Sequence, residues 1–525
     1  MSKYYILFYF LLACFVRNTT SVKILVALPH KGRSLMKTFE PYIFKLAERG
    51  RNVTVITHHP THFISDNYHE ISIQGSMESA SSRLSISRLG SLSLLQTLHG
   101  LTGTVTDYER TLKQESIQNL LNSTERFDLL ITSAFASRMY LGLVENYNVP
   151  VIYLSSNILF PNNAINLGDY INPSFVVSRL GGQSWRMNFM QRVDHFINVV
   201  VNIIWFELND QWFVQPIAGK YFNLNGKSLK EIENRVSLAL VNTHFTHFGS
   251  RPVPSNVIEV GGINLASKKN LPMNIEKFIN ESKHGVVYFC MGSLLRGETF
   301  PPEKREAFLY AFSKIPQRVL WKWEGDVLPG KSDNIMISKW MPQRDILAHP
   351  NVKLFISHGG LLGTSEAVYE GVPVLGIPIF GDQRTNIKSL EANGAGELLD
   401  YNEISKEVVL EKIQRLLNDP KYKENAKLLS DRYRDRPMSP LDTAVYWTEY
   451  VIRHKGAPHL RTAAADMPWY QYLLLDVIAF IVAVLVAGLL IIYYTTKFIL
   501  RAIYGLICGG GAKKGSSKSD KKKRN

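Results

Sequence analysis

Cysteine is almost missing from this chain: 525 residues contain three, at positions 14, 290 and 508. Cys14 sits in an apolar N-terminal stretch and Cys508 beyond a long apolar run near the other end. Cys290 is therefore the lone thiol of the body between them, and no disulfide can form within that body. No Asp-x-Asp triplet occurs either, which removes one common way of holding a divalent cation. Acidic residues are outnumbered, 45 against 60 Lys and Arg, for a formal net charge of +15. From Lys497 onward nine basic residues face one acid, Asp520, a net +8, so over half of the excess lies in the tail. The basic balance is then no argument for nucleic-acid binding by the folded body.

What is present at the ends is directional. Lys3 precedes the apolar run Tyr5 to Val16 and a polar stretch closing near Ser21, the order of a secretory signal over residues 1–21. That run is short for a bilayer; its other reading, a buried first strand, is already supplied by Val22 to Pro29. Val477 to Tyr494 is uncharged, with Asp476 before it and Lys497 after it. The pattern predicts a transmembrane helix over 474–496 with a cytosolic basic tail over 497–525, and hence a luminal body of single-pass type I orientation. The ending Lys522-Lys523-Arg524-Asn525 resembles the dilysine signal of endoplasmic-reticulum membrane proteins; a charge cluster for anionic lipid is the other reading. Asn18, Asn52, Asn122 and Asn280 each open an Asn-x-Ser/Thr sequon, compatible with luminal exposure.

The body reads as two wound halves. Val22 to Pro29 (VKILVALP) is a continuous apolar run, Leu35 to Gly50 carries helical spacing at Phe39, Ile43, Leu46 and Ala47, and Val53 to Thr57 is apolar again. Strand, helix and strand make a parallel unit, continued at Phe127 to Thr132 and Val149 to Leu154. Between Gly181 and Val214 a long apolar surface, Phe196 to Phe206, is either core or a face for lipid or a greasy ligand. Around Arg251 to Pro272 the pattern lapses into Pro, Asn and Lys, as in a linker. A second series starts at Gly285 to Met291 and runs through Arg318 to Trp323, Ile335 to Trp340, Val352 to Ser357 and Pro373 to Pro378. The expected fold is α/β: two Rossmann-like parallel-sheet domains facing a cleft, with ligands at the carboxyl ends of the strands.

The stretch from Trp340 to Asn386, WMPQRDILAHPNVKLFISHGGLLGTSEAVYEGVPVLGIPIFGDQRTN, carries the chemistry. A strand at Val352 to Ser357 delivers His358, Gly359 and Gly360 to its tip, and a helix containing Gly363, Thr364 and Glu366 follows at once. Such a turn bares backbone N–H groups at the positive end of a helix dipole, a site for phosphate, and His358 adds a donor. Glu366 reaches a pair of adjacent hydroxyls such as those of a ribose. Trp340 offers a flat face for a base, and Gln343 an amide for its edge or its sugar.

The combined string resembles the signature of the UDP-glycosyltransferases, and the resemblance extends from the strand at Val22 to the C-terminal anchor. It implies a GT-B architecture, with residues 22–250 binding the acceptor and 251–470 binding the UDP-sugar. By that likeness Trp340 and Gln343 meet uracil and ribose, His358 and Thr364 the diphosphate with Gly359, Gly360 and Gly363 in the same turn, and Glu366 the ribose hydroxyls. Asp382 and Gln383 match the pair that holds the hydroxyls of the transferred sugar, and Ser293 a phosphate-side contact. Asp382 also precedes a helical run and is placed to cap it. The partners implied are a UDP-sugar co-substrate and a small lipophilic acceptor, with no cofactor and no metal. In place of a metal, the helix terminus and His358 stabilise the departing UDP.

The likeness fails at the catalytic base. The family's base is a histidine five places before the Glu-Pro of the first helix, oriented by an aspartate after the Phe-Asp-Leu strand. With Glu40-Pro41 and Asp128 as anchors those positions hold Leu35 and Arg138. His30, at the end of the first strand, is the nearest substitute base; Arg138 is either a charge clamp on the diphosphate or a solvated surface residue. Three functions follow. One is an inverting transferase adding glucose or a related hexose to a lipophilic acceptor. The second is a UDP-sugar-binding membrane protein without turnover that regulates an active paralogue through pairing; the oligomers in view are a homo- or a hetero-oligomer. The third is a transferase for a lipid-linked acceptor.

Overall fold

The computed structural model describes residues 21–77, 93–135, 137–265, 268–293 and 295–508. The expected signal sequence short of Ser21, the sequon at Asn18, and the tail from 509 with its dilysine ending lie outside the described residues. The chain divides into two units, one through Ala465 and one from Asp466 onward.

In the first unit, apolar runs bounded by turns become strands buried on both faces. Strand β1 (Lys23–Leu28) is buried at every position after Lys23. Helix α1 (Arg33–Glu48) covers it with Leu35, Phe39, Tyr42, Ile43 and Leu46, the three-and-four spacing of one helical face. Strands β2 (Asn52–Thr57), β3 (Tyr68–Ser72), β4 (Leu129–Ser133), β5 (Val151–Ser155), β6 (Val236–Val241) and β7 (Val257–Glu259) complete a sheet of order β3-β2-β1-β4-β5-β6-β7. Every pairing is parallel. Helix α2 (Leu94–Leu112) and helix α3 (Phe189–Asn209) lie in the long connections after β3 and β5.

The second sheet runs β10-β9-β8-β11-β12-β13 and is again all parallel. Its strands are β8 (Val286–Cys290), β9 (Arg318–Lys322), β10 (Ile335–Ser338), β11 (Val352–Ser357), β12 (Val374–Gly376) and β13 (Gly396–Leu398). Around it stand helix α4 (Gln343–Leu347), helix α5 (Leu361–Glu370) and helix α6 (Gln383–Ala392). Trp321, Phe289, Phe308 and Phe312 are fully buried at the centre of its core.

Two expectations change, and a third, open between two readings, is refined. The boundary at 250/251 falls too early, because β7 pairs with β6 and belongs to the first sheet. The second domain does not extend to 470 either: helix α7 (Pro440–Arg453) returns to the first domain. Its Thr448 hydroxyl bonds Tyr42 Oη at 2.6 Å, its Glu449 pairs with Arg51 at 2.7 Å, and its Ala444, Val445 and Val451 enter the first core. The apolar segment of α3 is not simply core. Phe196, Ile197 and Ile204 are more than half exposed, while His195, Asn198 and Asn202 are buried. Two of the inward polar groups bond the preceding loop: His195 Nε2 bonds Val176 O at 3.0 Å and Asn198 Nδ2 bonds Leu180 O at 3.0 Å, while Asn202 Nδ2 donates to Asn198 O at 2.8 Å.

In the second unit, helix α8 (Leu475–Cys508) is 34 residues long with a mean hydropathy of 3.0 in its most apolar window, long and apolar enough to cross a membrane. It starts one residue after the expected span does and runs on past 496, through the first twelve residues assigned to the tail. At 1.5 Å per residue it is about 50 Å long against a hydrocarbon core of about 30 Å, so one end stands outside any bilayer it crosses.

Candidate active site

The order of the second sheet reverses between β8 and β11, and a parallel sheet opens a crevice at the carboxyl ends of its strands at such a point. Two loops meet there, Gly292-Ser293 after β8 and His358-Gly359-Gly360 after β11. Gly292 and Gly359 both have φ +84°, a region that side-chain-bearing residues rarely adopt. Space forbids a side chain as well. A Cβ at Gly292 would stand 2.6 Å from the His358 ring, one at Gly360 2.5 Å from it, and one at Gly359 2.6 Å from Ile387. The imidazole is thus held between two glycines. Gly360 is the N-cap of α5 and caps with no side chain, so the first N–H groups of that helix stay available to an anion.

His358 Nδ1 is buried and has no hydrogen-bond partner among the described residues. Burial holds its pKa down at about 4, with Asp382 pulling upward and Lys322 downward, so the ring is neutral and offers one N–H. Lys322, at the end of β9, lines the same cavity; its Nζ bonds Gly292 O at 3.1 Å and Glu324 at 2.6 Å. No sequence motif marked it, although its place at a strand's carboxyl end is the signal that could have.

Gln343 opens α4, and its Nε2 donates to Glu366 Oε2 at 2.6 Å. Gly363 permits this approach, since a Cβ there would lie 3.0 Å from the same Nε2. Burial lifts the Glu366 carboxyl to about 7, against the opposing pull of Gln343 and Arg344. Trp340 lines the cavity with 67% of its surface exposed, an indole with one open face. Ser293 stands exposed on the rim. Thr364 differs from expectation: it is 1% exposed, does not line the cavity, and its Oγ1 bonds back to Gly360 O at 3.0 Å.

Asp382 occupies the N-cap position of α6 but makes no capping bond. Its carboxylate instead accepts from Asn386 Nδ2 at 3.1 Å and from Asn157 Nδ2, which comes from the loop after β5 in the first domain. Gln383 spends its Oε1 on the Ile379 and Phe380 amides, at 2.7 and 3.0 Å, folding the loop that carries Asp382. The cavity these residues share is about 530 Å³. Its other wall belongs to the first domain, with Ser34, Thr38, Leu101, Phe135, Phe160 and Arg179. A larger depression of about 700 Å³ opens near Val22, Asp128 and Pro150, at the starts of strands, and contains none of the predicted site residues.

The substitute base does not stand where a base is needed. His30 is 7% exposed and is not among the residues lining the cavity. Its Nδ1 is bonded to Tyr108 Oη at 2.7 Å, and its ring stacks on Phe135 at 5.7 Å. Burial first, then the charges of Arg179 and His59, push its pKa down to about 3. Arg138 fits neither expectation. Its side chain is 11% exposed and pairs with Glu233 at 2.6 Å and with Asp210, a buried ion cluster inside the first domain. Leu35 is buried in the first core at 5% exposure.

Two parallel-sheet lobes, a cleft between them, and a glycine-rich strand-to-helix turn at the second lobe's switch point define a glycosyltransferase of GT-B architecture. Solved structures share that fold: the kitacinnamycin glycotransferase (TM-score 0.52, 15% identity, 82% of this chain and 98% of that one) and the spinosyn forosaminyltransferase SpnP (0.52, 16%, 82% and 99%). The family described as UDP-glucoronosyl and UDP-glucosyl transferase matches residues 19–509, and the chain belongs to it. Among its relatives are UDP-glycosyltransferase UGT5 of Dactylopius coccus, 54% identical over 97% of this chain and 98% of that protein, and UDP-glucosyltransferase 2 of the same organism, 37% identical over 98% of both. UDP-glucuronosyltransferase 2B15 of Homo sapiens is 35% identical over 78% of this chain and 77% of its own length.

Proposed function

We propose that the protein transfers a hexose, glucose before others, from a UDP-sugar to a small lipophilic acceptor with inversion and without metal. The observation that carries this reading is the convergence on one cleft of α5's open N-terminus, the His358 ring, the Gln343–Glu366 pair and Asp382. In the proposed complex the Trp340 indole covers uracil, Glu366 and Gln343 hold the ribose, and the α5 terminus with His358 and Ser293 holds the diphosphate. Lys322 adds a cation to the same end, so negative charge on the departing UDP develops against donors already in place. Asp382 and Gln383 face the sugar. The body lies in the lumen of the endoplasmic reticulum, with α8 as a type I anchor. Calorimetric titration of the purified chain with UDP and UDP-glucose, followed by an assay of sugar-nucleotide consumption over a panel of acceptors, tests the reading. Saturable UDP binding with glycoside formation is expected; absence of UDP binding sinks it, and binding without consumption by any acceptor points to a binding protein.

A further inference from the structure

Among the described residues, the first-domain wall of the cleft contains no Asp, Glu or His. Its polar groups are the hydroxyls of Ser34, Thr38, Thr97 and Ser156, which are not bases at neutral pH. A neutral alcohol bound there would find no base on that wall to take its proton. One ionic group does line that wall: Arg179. Its guanidinium lies 4.9 Å from the ring centres of both Phe135 and Phe160, and Nη1 is sealed from solvent without a hydrogen-bond partner. No ion pair or hydrogen bond engages the guanidinium among the described residues, although Asp382 acts on it from across the cleft. A buried cation flanked by aromatic faces and left with unused donors is costly unless something anionic completes it.

The surrounding chain is built to hold it still. Ser178 O accepts from Thr385 Oγ1 at 3.3 Å, and Gly182 N donates to the same oxygen at 2.9 Å, so one residue of α6 pins the backbone on both sides of Arg179. Asn198 of α3 bonds Leu180 O, and a Cβ at Gly181 would collide with His195 at 2.5 Å. The polar inner face of α3 thereby braces the arginine loop.

We propose that Arg179 makes the acceptor half of the cleft a carboxylate site, and that the protein's acceptor is an aromatic carboxylic acid taken as its anion. This rests on the UDP-sugar reading of the opposite wall. A carboxylic acid is already ionised at neutral pH, so it brings its own nucleophile and needs no base. Its oxygen forms the bond to the anomeric carbon while the bond from that carbon to the β-phosphate oxygen breaks. The electron pair leaves with UDP, no proton is transferred, and the product is an inverted 1-O-acyl hexose. Phe135 and Phe160 supply flat faces for the ring of the acid, and the guanidinium supplies a fork for its two oxygens. Arg179 is a specificity-determining residue in this scheme.

The test uses the full chain in detergent with UDP-glucose and three matched probes: 1-naphthoic acid, 1-naphthalenemethanol and 1-naphthoic acid methyl ester. Naphthoate is expected to yield a product cleaved by hydroxylamine, as an ester is, while the alcohol and the methyl ester give none. R179Q should raise KM for naphthoate about tenfold to a hundredfold, the range for a lost charge-assisted pair, with KM for UDP-glucose unchanged. R179K, which keeps the charge and loses the fork, should fall between them. The proposal is overturned if the alcohol is the better acceptor, or if naphthoate binds R179Q and the natural protein equally by calorimetry with UDP present, whether or not either turns over. A defect of R179Q confined to UDP-glucuronate as donor would assign the arginine to a sugar carboxylate and also overturn it. Loss of UDP binding by the natural protein would remove the donor reading itself, whereas intact UDP binding with indifference to naphthoate removes only this inference.

Discussion

At the residue scale the donor site is set by burial acting on a few polar groups. Glu366 is the clearest case: burial raises its carboxyl to about 7, and in the proposed complex the ribose hydroxyls donate hydrogen bonds to its ionised form. A bound partner that favours the charged form is lost as pH falls through that value. UDP affinity should therefore weaken from pH 8 to pH 6, approaching tenfold per pH unit at the acid end. In Glu366→Gln that component should vanish while the titration of UDP's own phosphate remains, and calorimetry at three pH values compares the slopes. Gly359 shows the steric side of the same site. With φ +84° and Ile387 at 2.6 Å from any Cβ, Gly359→Ala should destabilise the second domain by about 2 kcal/mol or more and abolish UDP binding, read as a lowered Tm and an empty titration.

At the element scale α6 does two jobs, because its N-terminus carries Asp382 and its body touches the first domain. Asn157 from beyond β5 bonds both Asp382 and Asn386, and His247 Nε2 donates to Asn386 O at 3.3 Å. The Asp382 carboxylate, which the proposed complex sets against the sugar and not against UDP, is thus oriented by a residue of the other domain. Asn157→Ala should leave the Kd for UDP within about twofold while kcat/KM for the UDP-sugar falls about tenfold or more, since the carboxylate loses the donor that aims it. Elements also mark the limits of reading by periodicity. The long strands β1, β2, β8 and β11 and helix α1 announce themselves through unbroken apolar runs or a three-and-four stripe. Strands β7 and β13 have three residues each, too few for a period, and β7 hides in a stretch rich in Pro and Asn, whereas β12, equally short, is betrayed by the apolar run Pro373 to Pro378 around it. In α3 the pattern was visible but its sense was not, because Asn198 turns inward to bond a loop while Phe189 and Phe196 turn outward.

At the scale of the whole molecule the two domains are coupled by α7 and by the contacts of α6. His247 sits in that second contact, 2% exposed, with its pKa held at about 4 by burial. Above pH 6.5 the imidazole is neutral in both folded and unfolded chains and exerts no pull. Below 6.5 the unfolded chain takes up the proton first, so stability falls progressively until about pH 4, by up to about 3 kcal/mol from this residue. The Tm of the natural protein should drop across that window more steeply than that of His247→Gln, measured by scanning calorimetry at matched ionic strength. The α7 tether is not sensitive in this way: Tyr42→Phe removes one buried hydrogen bond and should cost about 1 kcal/mol at any pH from 5 to 8.

By itself the sequence determined the parallel α/β class and the apolar C-terminal helix, and it singled out a passage from Trp340 to Gln383 most of whose named residues line one cleft. Each of these is local, a matter of apolar runs, glycine-forced turns and a motif contained within one strand-loop-helix passage. Tertiary structure alone decided that α7 crosses back to the first domain, that Arg138 is spent on Asp210 and Glu233, that His30 is sealed behind Phe135, and that Asn157 and Arg179 come to face Asp382. Those outcomes depend on residues far apart in the chain competing for the same partners and the same buried space, and no local pattern encodes who wins.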